Sequence, residues 1–317
     1  MSRFTLTVAE TYKAKSTPRL GPETVKISIK TAPDFSFRRT IFSHGWYGLQ
    51  PFHINETREE LSRVLELKNG RPVTVSMRSA RNAVLVTPSR TVGKRAVDQI
   101  IKDVRHMLRL DDELGSFYGL VEIDPDFNWI PRQGAGRLLR SPTVYEDLVK
   151  MICTTNCSWA LTVKMVTGLV EKLGRESDDG RRAFPTAEAM AQMPLKFYAD
   201  EVRAGYRAPY FKELADRVAS GELDVEAWLS SSVPTAELMK EMRDVKGVGP
   251  YAAENVLKLI GRYDGLALDS WTRAKFFTVR NNGRKATDKK IARFYSRFGE
   301  WRGLVLWCDM TRDWLDG

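Results

Sequence analysis

The stretch that most restricts this chain is Lys246-Gly247-Val248-Gly249-Pro250. Before it, Thr235 to Val245 puts Leu238, Met242 and Val245 on one helical face. After it, Tyr251 to Gly261 buries Ala253, Val256, Leu257 and Ile260 by the same periodicity. Pro250 suits the first turn of a helix, where its missing N–H would have had no partner. Two short helices must therefore meet at a glycine bend, a helix–hairpin–helix over residues 235–262. Gly247 and Gly249 allow backbone angles that other residues avoid and let a second backbone approach closely. The free amides at the start of the second helix can then hold a phosphate, with Lys246 beside them. A plain glycine-capped turn is the simpler reading. The full pattern from Leu238 to Leu257 favours phosphate binding.

The rest of the chain divides at about residue 92. Residues 1–92 read as an antiparallel β domain. Thr24 to Lys30 alternates with period two, and Val73/Val75 and Val84/Val86 form a hairpin around Ser-Ala-Arg-Asn. Glu59 to Leu67 fits a helix or a strand equally well. Residues 93–317 are dominated by helical periodicity. Lys94 to Leu110 is one amphipathic helix, and Thr143 to Leu173 is one or two helices opened by Ser141-Pro142. Linkers are expected at Arg175–Arg182 and Ser230–Thr235. The fold class is α+β, a small β domain followed by a larger all-α body.

Composition narrows the function. Of 317 residues, 43% are hydrophobic and 28% charged, which excludes a disordered chain. No apolar run is long enough for a membrane span, and MSRFTLTVAETYKAK has no apolar leader core. Cys153, Cys157 and Cys308 are too few for a disulfide framework or a four-cysteine cluster. His44, His53 and His106 lack metal-ligand spacing, so no metal is expected. A cytoplasmic monomer is expected, nucleoid-associated if the source is prokaryotic. The net charge of +10 points to an anionic partner. Trp271 to Arg302 holds ten Lys/Arg, Arg273 and Lys275 among them, against Asp288 and Glu300. Such a run is either a solvated helix face or a phosphate track.

Leu266-Ala267-Leu268-Asp269 leads into Ser270-Trp271-Thr272. Asp269 reads as a helix N-cap, or as a carboxylate at a cleft mouth that stabilises positive charge or positions water.

Val245 to Ala253 together with Leu268-Asp269 resembles the helix–hairpin–helix/Gly-Pro-Asp superfamily of DNA base-excision glycosylases. The resemblance extends over most of the chain, with 8-oxoguanine DNA glycosylase and 3-methyladenine DNA glycosylase II as the nearest branches. Ser36-Phe37-Arg38 and Gly45-Trp46-Tyr47-Gly48 resemble the family's β domain. Arg137 to Arg140 and Ile152 to Asn156 resemble the segment whose Asn enters the DNA stack. Gly205-Tyr206-Arg207 resembles a second wedge, and Gly299 to Met310 the C-terminal pocket helix. The resemblance implies double-stranded DNA as partner, with Asn156 and Tyr206 filling the gap left by an extruded base and Arg207 contacting the estranged strand. Asp269 would be catalytic. No cofactor is required, a monovalent cation at the hairpin being the one ion admitted.

Several positions depart from the family pattern. Bifunctional members carry a Lys where this chain has Tyr251, and a phenol forms no Schiff base. A monofunctional enzyme using water is therefore implied. The purine-reading Gln of 8-oxoguanine enzymes is Gly303 here, their stacking Phe is Trp307, and their cytosine-reading Arg is Leu161. The expected base pocket, lined by Tyr251, Asn255, Gly303 and Trp307, should accept something other than 8-oxoguanine. An alkylated purine, a deaminated base and a bulky hypermodified base of phage DNA, such as glucosylated hydroxymethylcytosine, are the options. The rival from another class is a DNA-binding module without chemistry.

Overall fold

The computed structural model describes residues 26–315. The expected strand start at Thr24 and the N-terminal stretch lie outside them. Five antiparallel strands form one sheet: β1 (Ile27–Lys30), β2 (Phe52–Asn55), β3 (Glu60–Leu65), β4 (Val73–Ala80) and β5 (Ala83–Pro88), in the order β1-β5-β4-β3-β2. The helices run α1 (Phe37–Ile41), α2 (Lys94–Met107), α3 (Gly115–Glu122), α4 (Trp129–Arg132), α5 (Val144–Thr154), α6 (Trp159–Leu173), α7 (Ala187–Ala191), α8 (Ala208–Ala219), α9 (Thr235–Arg243), α10 (Pro250–Ile260), α11 (Ser270–Arg280), α12 (Asp288–Tyr295) and α13 (Arg302–Thr311). This is the expected α+β arrangement of a sheet lobe followed by a helical body.

The β4–β5 hairpin turns at Arg81-Asn82, with Asn82 in the left-handed region at φ 54°. The ambiguous segment at 59–67 is strand β3. Its alternation is masked because Arg63 takes a core-facing position between Leu61 and Leu65. The Arg63 guanidinium lies 4.6 Å from the Phe52 ring centre and forms a two-point ion pair with Glu146 of α5, at 3.0 and 3.3 Å. Lys150, one turn later, donates to Glu146 at 2.6 Å, and all three side chains are buried. Burial pushes the Glu146 carboxyl up, and Arg63 and Lys150 more than reverse this, holding it below the ordinary range. Trp46 Nε1 donates to Asp147 at 2.7 Å beside this network. The sheet lobe is thus tied to the helix that leads to Asn156.

Residues 143–173 form two helices, and the cap of the first is Thr143 rather than Ser141. The Thr143 hydroxyl accepts from Glu146 N, and the Glu226 carboxylate accepts from Val144 N and Tyr145 N at 3.0 and 2.9 Å. The expected linker at 175–182 is not free. It closes on itself through the Glu176–Arg182 bridge and docks on the sheet through Thr74–Asp179 and Arg181–Ser62. Its Asp and Arg side chains, read as loop composition, serve as fasteners.

Removing one member of a buried charge cluster strands the others. Glu146→Gln should lower unfolding free energy by about 3–5 kcal/mol in urea titration. A loss under ~1 kcal/mol would show that the cluster does not hold the two lobes together.

Candidate active site

Helices α9 and α10 meet at the glycine bend, where Gly247 has φ 88° and packs so closely on Tyr210 that a Cβ there would lie 2.7 Å from its ring. Gly249 caps α10 with extended backbone and open space around it. The other end of α10 is clamped by two buried arginines. Arg109 donates to the Lys258 and Leu259 carbonyls at 3.2 Å each, and Arg140 donates to the Leu259 carbonyl. Cations at a helix C-terminus satisfy its free carbonyls and its negative dipole end. Both ends of α10 are therefore fixed, and so are the side chains along it.

Asp269 is the helix cap that its sequence position allowed, and it also lines a cleft. Its Oδ1 accepts from Thr272 N at 2.7 Å and from the Thr272 hydroxyl at 2.8 Å, while Asp269 N donates back to that hydroxyl oxygen, a capping box at the start of α11. Its Oδ2 faces the other way, and Tyr251 OH donates to it at 3.3 Å. Burial, then the adjacent Asp269 charge, pushes the Tyr251 phenol above its ordinary value, so it remains a donor.

Two hollows meet at these residues. A groove of about 770 Å³ is lined by Asn156, Tyr206, Lys246, Gly247, Gly249 and Tyr251. A cavity of about 530 Å³ lies behind it, walled by Trp46, Trp159, Trp271, Trp307, Asn255 and Lys258. Thr154, Cys157, Tyr251, Asp269 and Ser270 line both hollows. The Asp269 carboxylate thus stands where groove becomes cavity. Asn156 projects from the α5–α6 turn with left-handed backbone, φ 46°, and is exposed, and Tyr206 is 53% exposed across the groove. Asn255 Nδ2 donates to the Tyr251 carbonyl at 2.9 Å, and Trp307 Nε1 donates to the Ser43 carbonyl at 2.8 Å, which fixes both walls.

Two expected site residues fall elsewhere. Gly303 is not in the pocket. Its amide donates to the Tyr263 carbonyl at 2.8 Å, and a Cβ would sit 2.0 Å from the Gly265 carbonyl oxygen, so the glycine serves close packing of α13. Arg207 is buried, not poised over a DNA strand. It donates to the carbonyl and hydroxyl of Thr155 and so props the turn that carries Asn156. Within the basic run, Arg273 pairs with Asp288, Lys275 with Asp313, Arg280 with Asp309 and Asp126, and Arg297 with Asp124. Lys246 pairs with Glu213 at the groove edge. Arg284, Lys285, Lys289 and Arg293 are exposed around α12.

Lys258, His44 and four tryptophans, Trp46, Trp159, Trp271 and Trp314, line the cavity without having been expected there. Lys258 had a signal: Tyr251, Asn255 and Lys258 recur at four- and three-residue spacing on one face of α10. Trp159 had none, because its place depends on Gly45, where a Cβ would come within 2.6 Å of the indole. Burial, reinforced by Lys150, Lys258 and Arg109 against one backbone hydrogen bond, pushes His44 down to about 4, so its imidazole is neutral at pH 7.

No family model matches the chain. A DNA-3-methyladenine glycosylase of Bacillus subtilis is 26% identical over 220 residues, 68% of this chain and 72% of that protein. A 3-methyladenine DNA-glycosylase from Archaeoglobus fulgidus superposes with TM-score 0.71 at 21% identity, covering 92% of this chain and 99% of its own. An 8-oxoguanine glycosylase/lyase of Clostridium acetobutylicum, in complex with cytosine-containing double-stranded DNA, superposes with TM-score 0.69 at 20% identity, covering 89% and 93%. At these identities the superpositions show a shared fold.

Gly303→Ala should unfold the chain at markedly lower temperature before it changes any binding preference, as read by thermal melting. A variant of unchanged Tm would put the 303 side chain back toward the cavity.

Proposed function

We propose that the chain is a monofunctional DNA glycosylase of the helix–hairpin–helix/Gly-Pro-Asp superfamily, extruding a modified base from duplex DNA and hydrolysing its glycosidic bond, a reading supported by its similarity to a DNA-3-methyladenine glycosylase and by the shared fold. The observation that carries this reading is Asp269 Oδ2, turned into the junction of groove and cavity while Oδ1 is spent on the helix cap. Duplex DNA lies along the groove, its phosphates at the amides around Gly247 and Gly249 and at Lys246. Asn156 and Tyr206 replace the extruded nucleotide in the stack, and Arg207 acts indirectly through Thr155. The base enters the tryptophan-walled cavity and the sugar stops at its mouth. As the bond breaks, positive charge grows on the deoxyribose beside Asp269, where a fixed carboxylate is worth more than in water. The same carboxylate orients the attacking water. No cofactor enters a step, and a monovalent cation at the hairpin would serve phosphate binding alone. Tyr251 supplies no amine, so lyase chemistry through a Schiff base is not expected from that position.

The cavity also favours a bulky substrate. Its volume of about 530 Å³ is large for an unmodified base, which supports a hypermodified base of phage DNA, and hence a defence role, as a second reading.

Asn caps a helix about as well as Asp, so Asp269→Asn separates the cap from the chemistry. Duplexes bearing alkylated, deaminated and glucosylated bases, followed by alkali cleavage, should show base release slowed at least ~100-fold by Asp269→Asn. DNA affinity and Tm should be nearly unchanged. If neither protein releases a base, the chain is a DNA-binding module. Borohydride should trap no covalent complex with DNA; a trapped adduct would overturn the monofunctional assignment.

A further inference from the structure

Two opposite charges line the cavity. Asp269 stands at the mouth, and Lys258 lines the interior from the third turn of α10. Lys258 is 2% exposed. Its ammonium has three N–H donors. Among the described residues it makes one hydrogen bond, to the Leu266 carbonyl, stretched to 3.5 Å. Its Nζ lies 5.2 Å from the Trp307 ring centre, on a wall of the cavity. Glu254, one turn earlier, has its carboxylate engaged by the Ala267 amide. A buried ammonium with donors to spare is costly unless something else comes to accept them.

We infer that Lys258 donates to the extruded base and protonates it as it leaves, which makes the substrate class a neutral base bearing a hydrogen-bond acceptor rather than a cationic alkylated purine. This rests on the glycosylase reading above. When a neutral nucleoside dissociates, the sugar becomes positive and the departing base negative. The cavity matches that separation, with carboxylate beside the sugar and ammonium beside the base. The C1′–N bond breaks with its electron pair passing to the base. A proton moves from Lys258 Nζ to a ring nitrogen or carbonyl oxygen of the base, releasing it neutral. Water adds to C1′ and gives its proton to Asp269, which passes it to solvent, while solvent returns a proton to Lys258. The sum is hydrolysis to an abasic site and a free base.

A base that is already cationic reverses the match, because it would bring a second positive charge toward Lys258. At ~6 Å and an effective dielectric of ~20, that repulsion disfavours binding on the order of a hundredfold. Indole walls attract cations. The nearest such face, Trp307, is already used by Lys258 itself.

The ionisable groups around Lys258 are Glu254 on the same helix, Asp269 and Tyr251 at the mouth, His44 across the cavity, and Arg109, which grips the Lys258 carbonyl. Burial pushes Lys258 down to about 8, against the pull of Glu254 and Asp269. It is therefore charged at pH 7 and loses its proton within reach of assay.

The test is single-turnover release from duplexes carrying hypoxanthine, uracil, 5-hydroxymethylcytosine, its glucoside, or cationic N7-methylguanine. The wild-type protein should release a neutral base, and Lys258→Met should slow that reaction at least ~100-fold without lowering DNA affinity. Should Lys258→Met fail to fold, the wild-type rate on the neutral base must still fall about tenfold per pH unit above pH ~8. A flat profile overturns the inference. So does release of N7-methylguanine alone with Lys258→Met unimpaired; if Asp269→Asn still abolishes that release, the glycosylase reading survives. A borohydride adduct lost in Lys258→Met would place the amine at C1′ and overturn the assignment. Release of no base by either wild type or Asp269→Asn would fail the glycosylase reading itself.

Discussion

The division of labour within one carboxylate organises this molecule. Asp269 must hold the first turn of α11 and also face the cavity, and the capping box lets it do both. With Oδ1 fixed by the amide and hydroxyl of Thr272, the plane of the carboxylate is set, and Oδ2 can point only toward Tyr251 and the junction of the two hollows. A carboxylate on a free loop would spend orientation entropy each time it acted. A helix cap has already spent it during folding.

The supporting structure keeps α10 and the Asn156 turn in register with that carboxylate. Arg109 and Arg140 seize the C-terminal carbonyls of α10, and close glycine packing fixes its N-terminal bend. On the other side, Arg63, Glu146 and Lys150 bind the sheet lobe to α5, whose C-terminal end carries Asn156, while Arg207 braces the turn itself through Thr155. Charges buried this way add little net stability over apolar packing, but losing one partner leaves the others uncompensated. The reward is geometric, because Asn156, the glycine bend and Asp269 come from three separate stretches of chain and line one groove.

The cavity is walled by five tryptophans and carries a lysine along its inner wall. Its tryptophans offer flat stacking faces that every base can use, so they set capacity more than identity. In the proposed reading it is the polar side chains along the wall that choose the base. Asn255 is tied to the α10 backbone, and Lys258 holds donors in reserve.

Sequence alone determined the elements whose signals are local. The glycine bend, the helices flanking it, the β4–β5 hairpin and the Asp at a helix start all follow from periodicity and backbone chemistry within a dozen residues. The α10 face is half legible: Tyr251 and Asn255 follow from the glycine bend, whereas Lys258 on the same face stands among apolar neighbours and is marked by its spacing alone. Tertiary structure decided whatever depended on contact across the chain. It moved Gly303 from pocket to packing contact, turned Arg207 from strand reader into brace, docked the 175–182 turn on the sheet, and brought Trp46 and Trp159 to one wall. Backbone preference is a property of neighbouring residues, whereas the surroundings of a side chain are fixed only when distant segments meet.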